Sequence, residues 1–219
     1  MKTLYLTIVF SGLMISACAD PTANKPKAST TAPSTANQAT TKQSSTALSE
    51  TKGTAIAITP ENSKIEFTGS KVTGKHDGGF KQFTGTIDMV GEKAEASTVK
   101  VDIEMNSLFT DTDGLTKHLM TADFFEVEKF PKASFVSTKI VPPAGQAGPF
   151  NVTGDFEIRG VKKSITFPAT IRVLADKIMV LAEFSINRKD FGIVYAGKAD
   201  DLIRDDVLIR MELNPTRTK

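Results

Sequence analysis

At 219 residues, with 40% apolar and 24% charged side chains, the chain has material for one sizeable core once its polar first quarter is set aside. Its 27 basic and 25 acidic residues are interspersed and leave a net charge of only +2, so no basic face exists to neutralise a phosphate backbone, and nucleic acid is excluded as a partner. The single cysteine, Cys18, excludes an internal disulfide.

In chain order, Lys2 precedes an apolar run over 4–15 that is too short to span a bilayer, and residues 1–17 read as a signal peptide. The tetrad Ile15-Ser16-Ala17-Cys18 resembles the bacterial lipobox, in which the cysteine sulfur takes a diacylglycerol before cleavage. Cys18 is therefore the expected lipidation site, since an unpaired thiol in an oxidising compartment is otherwise a liability. Two or more acyl chains give a stable hold on a membrane. The expected location is the cell envelope, facing the periplasm. Ala19 rather than an aspartate follows the cysteine, which favours the outer membrane.

Residues 18–54 consist largely of Ser, Thr, Ala, Pro, Lys, Asn and Gln, with Leu48 the only large aliphatic side chain. So little apolar surface cannot offset the entropy of ordering, and the segment reads as a disordered, partly extended linker.

Residues 55–215 form the expected folded domain. Its dominant signal is alternation with period two, as in Val99, Val101, Ile103 and Met105 against Lys100, Asp102 and Glu104. Equivalent strands are read at 63–72, 80–90, 133–141, 150–158, 165–173, 177–188 and 207–213. The fold class is all-β: eight antiparallel strands, each dry on one face, closing into a lipocalin-like β-barrel. A two-sheet sandwich is the main competitor. Outward positions would carry Lys100, Glu104, Glu157, Arg172 and Arg210, so the barrel stands in water with an apolar interior rather than facing lipid. One short helix is expected at 114–122, capping a mouth of the barrel.

The run Asp123-Phe124-Phe125-Glu126-Val127-Glu128-Lys129-Phe130-Pro131, preceded by His118-Leu119 and followed by Ala133-Ser134-Phe135, resembles the signature of the YceI-like family. The stretch from Val152-Thr153-Gly154-Asp155-Phe156 to Val161 and the strands around Arg188-Lys189-Asp190-Phe191-Gly192 and Asp206-Val207-Leu208-Ile209 extend the likeness. The chain departs from the family at Asp113-Gly114-Leu115-Thr116-Lys117, where an arginine is common. The resemblance implies a lipocalin-like barrel that holds an isoprenoid or similar long-chain amphiphile and catalyses nothing.

Fourteen phenylalanines, against two tyrosines and no tryptophan, suit apolar walls with few polar handles. The expected wall residues are Phe67, Phe83, Phe135, Phe156, Phe167 and Phe184, with His118, Leu119, Phe124 and Phe125 at the mouth. Small residues at inward positions (Gly69, Gly85, Gly154, Ala169 and Ala182) would leave interior volume unfilled. His76 and His118 lie on different elements without ligand spacing, so no metal is expected, nor any cofactor beyond a bound isoprenoid-type lipid. No nucleophile elbow or phosphate loop is present. Expected partners are an apolar lipid and the membrane through Cys18, and a homodimer is compatible with the chain. Two alternatives stand beside the lipid carrier: an envelope stress or interaction lipoprotein with a packed barrel, and a carrier of a redox-active isoprenoid quinone.

Overall fold

The computed structural model describes residues 20–34, 53–145 and 148–217. The signal-peptide and Cys18 readings lie outside those residues. The strands are β1 (Ser29–Thr31), β2 (Thr54–Ile58), β3 (Ser63–Ser70), β4 (Lys75–Phe80), β5 (Phe83–Met89), β6 (Thr98–Glu104) and β7 (Leu108–Thr110). Helix α1 (Asp113–Leu119) follows, then β8 (Lys132–Val141), β9 (Phe150–Ile158), β10 (Val161–Val173), β11 (Ile178–Asn187), β12 (Gly197–Lys198), β13 (Asp201–Leu202) and β14 (Asp206–Leu213).

The ladders run β2-β5-β6-β8-β9-β10-β11-β14-β3-β4-β7, one antiparallel sheet that curls on itself. Strands β4 and β5 are consecutive in the chain, joined only by Lys81 and Gln82, yet lie near opposite ends of this path. That short link draws the two flanks together and makes the sheet barrel-like. All eight expected strands are present. The strand count exceeds eight because the 80–90 reading covers only the end of β4 with β5, and because β2, β7 and the small β12–β13 hairpin carry no long alternation.

Local chemistry sets the turns. Arg159 and Gly160 both have positive φ, 53° and 70°, which makes the two-residue β9–β10 connection a type I′ hairpin. Gly192 takes the left-handed conformation (φ 73°) that ends the short 3-10 turn Arg188–Phe191. The interior is apolar, from Ile56, Ile87 and Met89 at one flank to Phe167, Phe184 and Phe191 at the other. A second cluster joins Leu119 of α1 to Leu108, Phe124 and Ile193.

The linker reading is corrected at residues 20–34. From the turn outward, strands β10 and β11 pair from Val173↔Ile178 to Thr170↔Leu181 and then separate. Into this seam fits β1, pairing Ser29, Thr30 and Thr31 with Thr166, Ile165 and Ser164. On its other side Ala28 donates to the Ser185 carbonyl at 2.8 Å, and the Ser185 amide donates to Pro26 at 2.8 Å. The reason is backbone chemistry: a split between strands exposes N–H and C=O groups that any extended segment can satisfy, whatever its side chains. Only Ala28 has to be small, and it is buried. Ion pairs Lys25–Glu183 (2.6 Å), Lys27–Asp206 (2.7 Å) and Asp20–Arg204 (3.2 Å) fasten this strap to the barrel.

Candidate functional site

The inward faces of the strands enclose a cavity of about 330 Å³ whose wall is almost wholly apolar. Period-two alternation places its lining: Ile65, Phe67 and Gly69 from β3, Ile165 and Phe167 from β10, Phe184 and Ile186 from β11, Ile209 and Met211 from β14. The aromatic rings brace one another. Phe167 and Phe184 stack with centroids 4.1 Å apart, Phe135 lies 5.7 Å from Phe167, and Phe156 meets Phe191 edge-on at 5.2 Å.

Glycines decide how far these rings extend. A Cβ at Gly154 would strike the Phe135 ring, so that ring occupies the missing side chain's place on β9. Gly78 does the same for Phe67, whose Cζ would lie 2.6 Å from an added Cβ. At Gly69 nothing stands within 4 Å of such an atom, and the wall is open there.

Of the expected wall residues, Phe67, Phe135, Phe156, Phe167 and Phe184 line the cavity. Phe83 does not: it is buried on β5, on the flank where Ile56, Ile58 and Ile87 fill the interior with packed side chains. At the capped end, Leu119, Phe124 and Phe125 line the cavity together with Leu115 of α1. His118 does not reach the wall. Its Nε2 lies 2.8 Å from Asp123 Oδ2, and its ring packs edge-on against Phe124 and Tyr195. It holds the loop after α1 in place. Among the small residues, Gly69 lines the cavity, while Ala169 and Ala182 are packed in the core.

Sequence reasoning missed the remainder of the capped end, where Phe191, Ile193 and Ile203 come from an irregular stretch without periodicity. It also missed the polar residues that border the cavity here: Ser70, Lys71, His76 and Arg188. The Ser70 Oγ is buried without a hydrogen-bond partner. His76 Nδ1 lies 2.9 Å from Asp111 Oδ1. Arg188 is buried, and its guanidinium donates to the carbonyls of Ile193 and Arg204 and to Asp205. Burial lowers the Arg188 pKa from its ordinary value, against the opposing pull of Asp205. Among the described residues no group of three or more His, Cys, Asp or Glu side chains is placed to hold a metal. Each histidine instead meets a carboxylate of its own.

A curled antiparallel sheet with this capped apolar interior narrows the comparison with known proteins. The YceI-like domain family matches residues 57–214. The chain belongs to the YceI-like family. It is 33% identical over 138 residues to a UPF0312 protein of Pseudomonas putida strain F1, a match spanning 60% of this chain and 71% of the relative. Over 93 residues it is 39% identical to a UPF0312 protein of Pseudomonas savastanoi pv. phaseolicola, spanning 42% and 47% of the two chains.

Among solved structures, Burkholderia cenocepacia BcnA superposes on this YceI-like chain with a TM-score of 0.63 at 22% identity, covering 74% of this chain and 99% of the other. A polyisoprenoid binding domain from Saccharophagus degradans gives 0.59 at 18% identity, covering 76% and 99%. The Campylobacter jejuni YceI protein gives 0.54 at 24% identity, covering 65% and 85%. At these identities the likeness is one of fold.

Proposed function

We propose that this YceI-like protein is a non-catalytic carrier of a long-chain apolar or amphiphilic lipid of the polyisoprenoid kind, attached to the bacterial envelope through a lipidated Cys18. The observation that carries the reading is the apolar cavity of about 330 Å³, walled by stacked phenylalanines and partly covered at one end by α1. This volume lies at the lower end of the range for ligand pockets, which is about 300–1,000 Å³, and its lining offers dispersion contacts rather than polar handles. One hydrocarbon chain fits that chemistry. The Saccharophagus degradans domain with the same fold is described as polyisoprenoid binding, which supports the choice of ligand class. The cavity weighs against a fully packed interaction barrel.

Purified protein extracted with organic solvent and read by mass spectrometry should yield a co-purifying apolar lipid, and Phe167→Asp should reduce its recovery. Repeated recovery of no lipid, together with no uptake of an isoprenoid alcohol or fatty chain in titration, would end this reading.

A further inference from the structure

Six large hydrophobic side chains are exposed among the described residues, and the three most exposed are Val194 (66%), Val72 (57%) and Leu202 (49%). Val136 and Leu181 sit on strands and Leu174 in the β10–β11 turn, scattered singly as is normal for a soluble surface. Val72 and Val194 are on loops and Leu202 is on β13, all at one end of the barrel. The Val72 amide donates to the Leu202 carbonyl at 3.3 Å, and the Ile203 amide donates to Ala196 at 2.9 Å, which ties the loop bearing Val194 to the same hairpin.

This is the end at which the cavity meets its polar border. Lys71, next to Val72, and Ile193 and Ile203, next to Val194 and Leu202, all line the cavity. The strap ends here too. Asp20 pairs with Arg204, whose amide donates to the Ser70 carbonyl at 2.8 Å, and Asp20 and Leu202 border one surface groove. In the sequence Asp20 follows Cys18 by two residues.

We propose that Val72, Val194 and Leu202 form a rim that docks on a lipid bilayer, with the docked strap holding the amino-terminal anchor at the same end so that the cavity opens toward the membrane. The inference deepens the lipid-carrier reading and rests on it: a hydrocarbon ligand then passes between bilayer and barrel without crossing water. Three independent features converge on one end: the exposed aliphatic side chains, the cavity border and Asp20 at the start of the strap. A freely swinging linker would set no orientation. A strap laid in as a strand sets one.

The chain has no tryptophan, so one introduced indole reports one place. Val194→Trp places it on the rim, and Leu174→Trp places it at the opposite end, in the turn between β10 and β11. Full-length protein is bound to vesicles of phosphatidylethanolamine and phosphatidylglycerol whose acyl chains carry bromine, which quenches indoles that enter the apolar layer. Val194→Trp should be quenched at least about threefold more strongly than Leu174→Trp, because interfacial side chains sit about 5–10 Å into the acyl boundary. Adding Val72→Asp and Leu202→Asp to the Val194→Trp protein should remove most of that quenching while the anchored protein stays on the vesicle.

Equal quenching at the two sites, or none at either, overturns the proposal. Concentration-dependent self-association without vesicles that Val72→Asp abolishes also overturns it, by assigning the rim to a second copy. Solvent extraction of the same preparations reads the carrier function separately. Recovered lipid with an unquenched rim removes only the docking face, and a quenched rim without recovered lipid removes only the carrier reading.

Discussion

Phe167 and Phe184 stack at 4.1 Å, nearly parallel, at a level where their strands no longer share a ladder. The seam between β10 and β11 is thus closed by two different means, ring against ring on the cavity wall and β1 between the separated backbones. Phe184→Ala removes a 2%-exposed ring and one half of this closure. It should lower stability by about 3 kcal/mol, the lower end for Phe→Ala because part of the ring faces an existing cavity. Denaturant unfolding measures it, and a loss of a few tenths would mean the stack contributes little.

Gly154→Ala tests the glycine cradle. The added methyl group meets the Phe135 ring and, at 2.6 Å, the Val136 carbonyl, so the ring must swing into the cavity. A destabilisation of about 1–3 kcal/mol is expected, as for other overpacked sites, together with reduced lipid recovery. Unchanged recovery with Phe135 displaced would show that the ligand does not use this part of the wall.

Ala28→Asp tests the strap. A carboxylate cannot remain at this buried position without a partner, so the strap should leave the seam while the barrel stays folded. Hydrogen exchange reads this directly: the Ser185 amide, which donates to Pro26, should lose protection while amides in β9 keep theirs. Full protection of Ser185 in the variant would contradict the wedge arrangement.

Strap docking should also weaken in acid. The hydrogen bond from Lys25 of the strap, and then that from Arg210, hold the Glu183 carboxyl below its ordinary value. Groups with a depressed folded pKa add stability that is complete above the ordinary carboxylate range and is lost as pH falls through the folded values. The Ala28 amide should therefore be protected at neutral pH and lose protection below about pH 4. Because these ion pairs are solvent-exposed the effect is modest and salt-sensitive. Protection at Ala28 that does not change down to pH 3, in a barrel still folded, would refute it.

Cys18→Ser removes the only thiol of the chain. The variant is expected to move from the membrane fraction to the soluble one, or to persist as uncleaved precursor, with near-native circular dichroism. Wild-type membrane association in the variant would rule out the lipidated anchor.

The eight long strands were legible because each alternates apolar and polar residues over most of its length, and the same alternation placed Phe67, Phe135, Phe156, Phe167 and Phe184 on the cavity wall. Strand β4 was not legible: Lys75-His76-Asp77-Gly78-Gly79 has no apolar alternation, since its glycines admit the rings of neighbouring strands. The capped end was legible only at α1 and the residues after it, because Ile193 and Ile203 are placed by local turn and hairpin hydrogen bonds rather than by a repeating pattern. The strap is the clearest failure. A search for apolar periodicity cannot see a strand recruited by unpaired main-chain groups in a seam formed more than a hundred residues later.

Strand β14 pairs with β3 on one side and with β11 on the other, so Leu208 lies opposite Thr68, roughly 140 residues earlier in the chain. The cylinder therefore has no local route to completion. During synthesis β3 waits with one edge unpaired until β14 emerges, and a nascent chain stopped before Asp206 holds a hydrophobic trough instead of an enclosed interior. The barrel commits to its native state only once β14 has been made, which keeps the polypeptide ahead of it threadable until that strand is available.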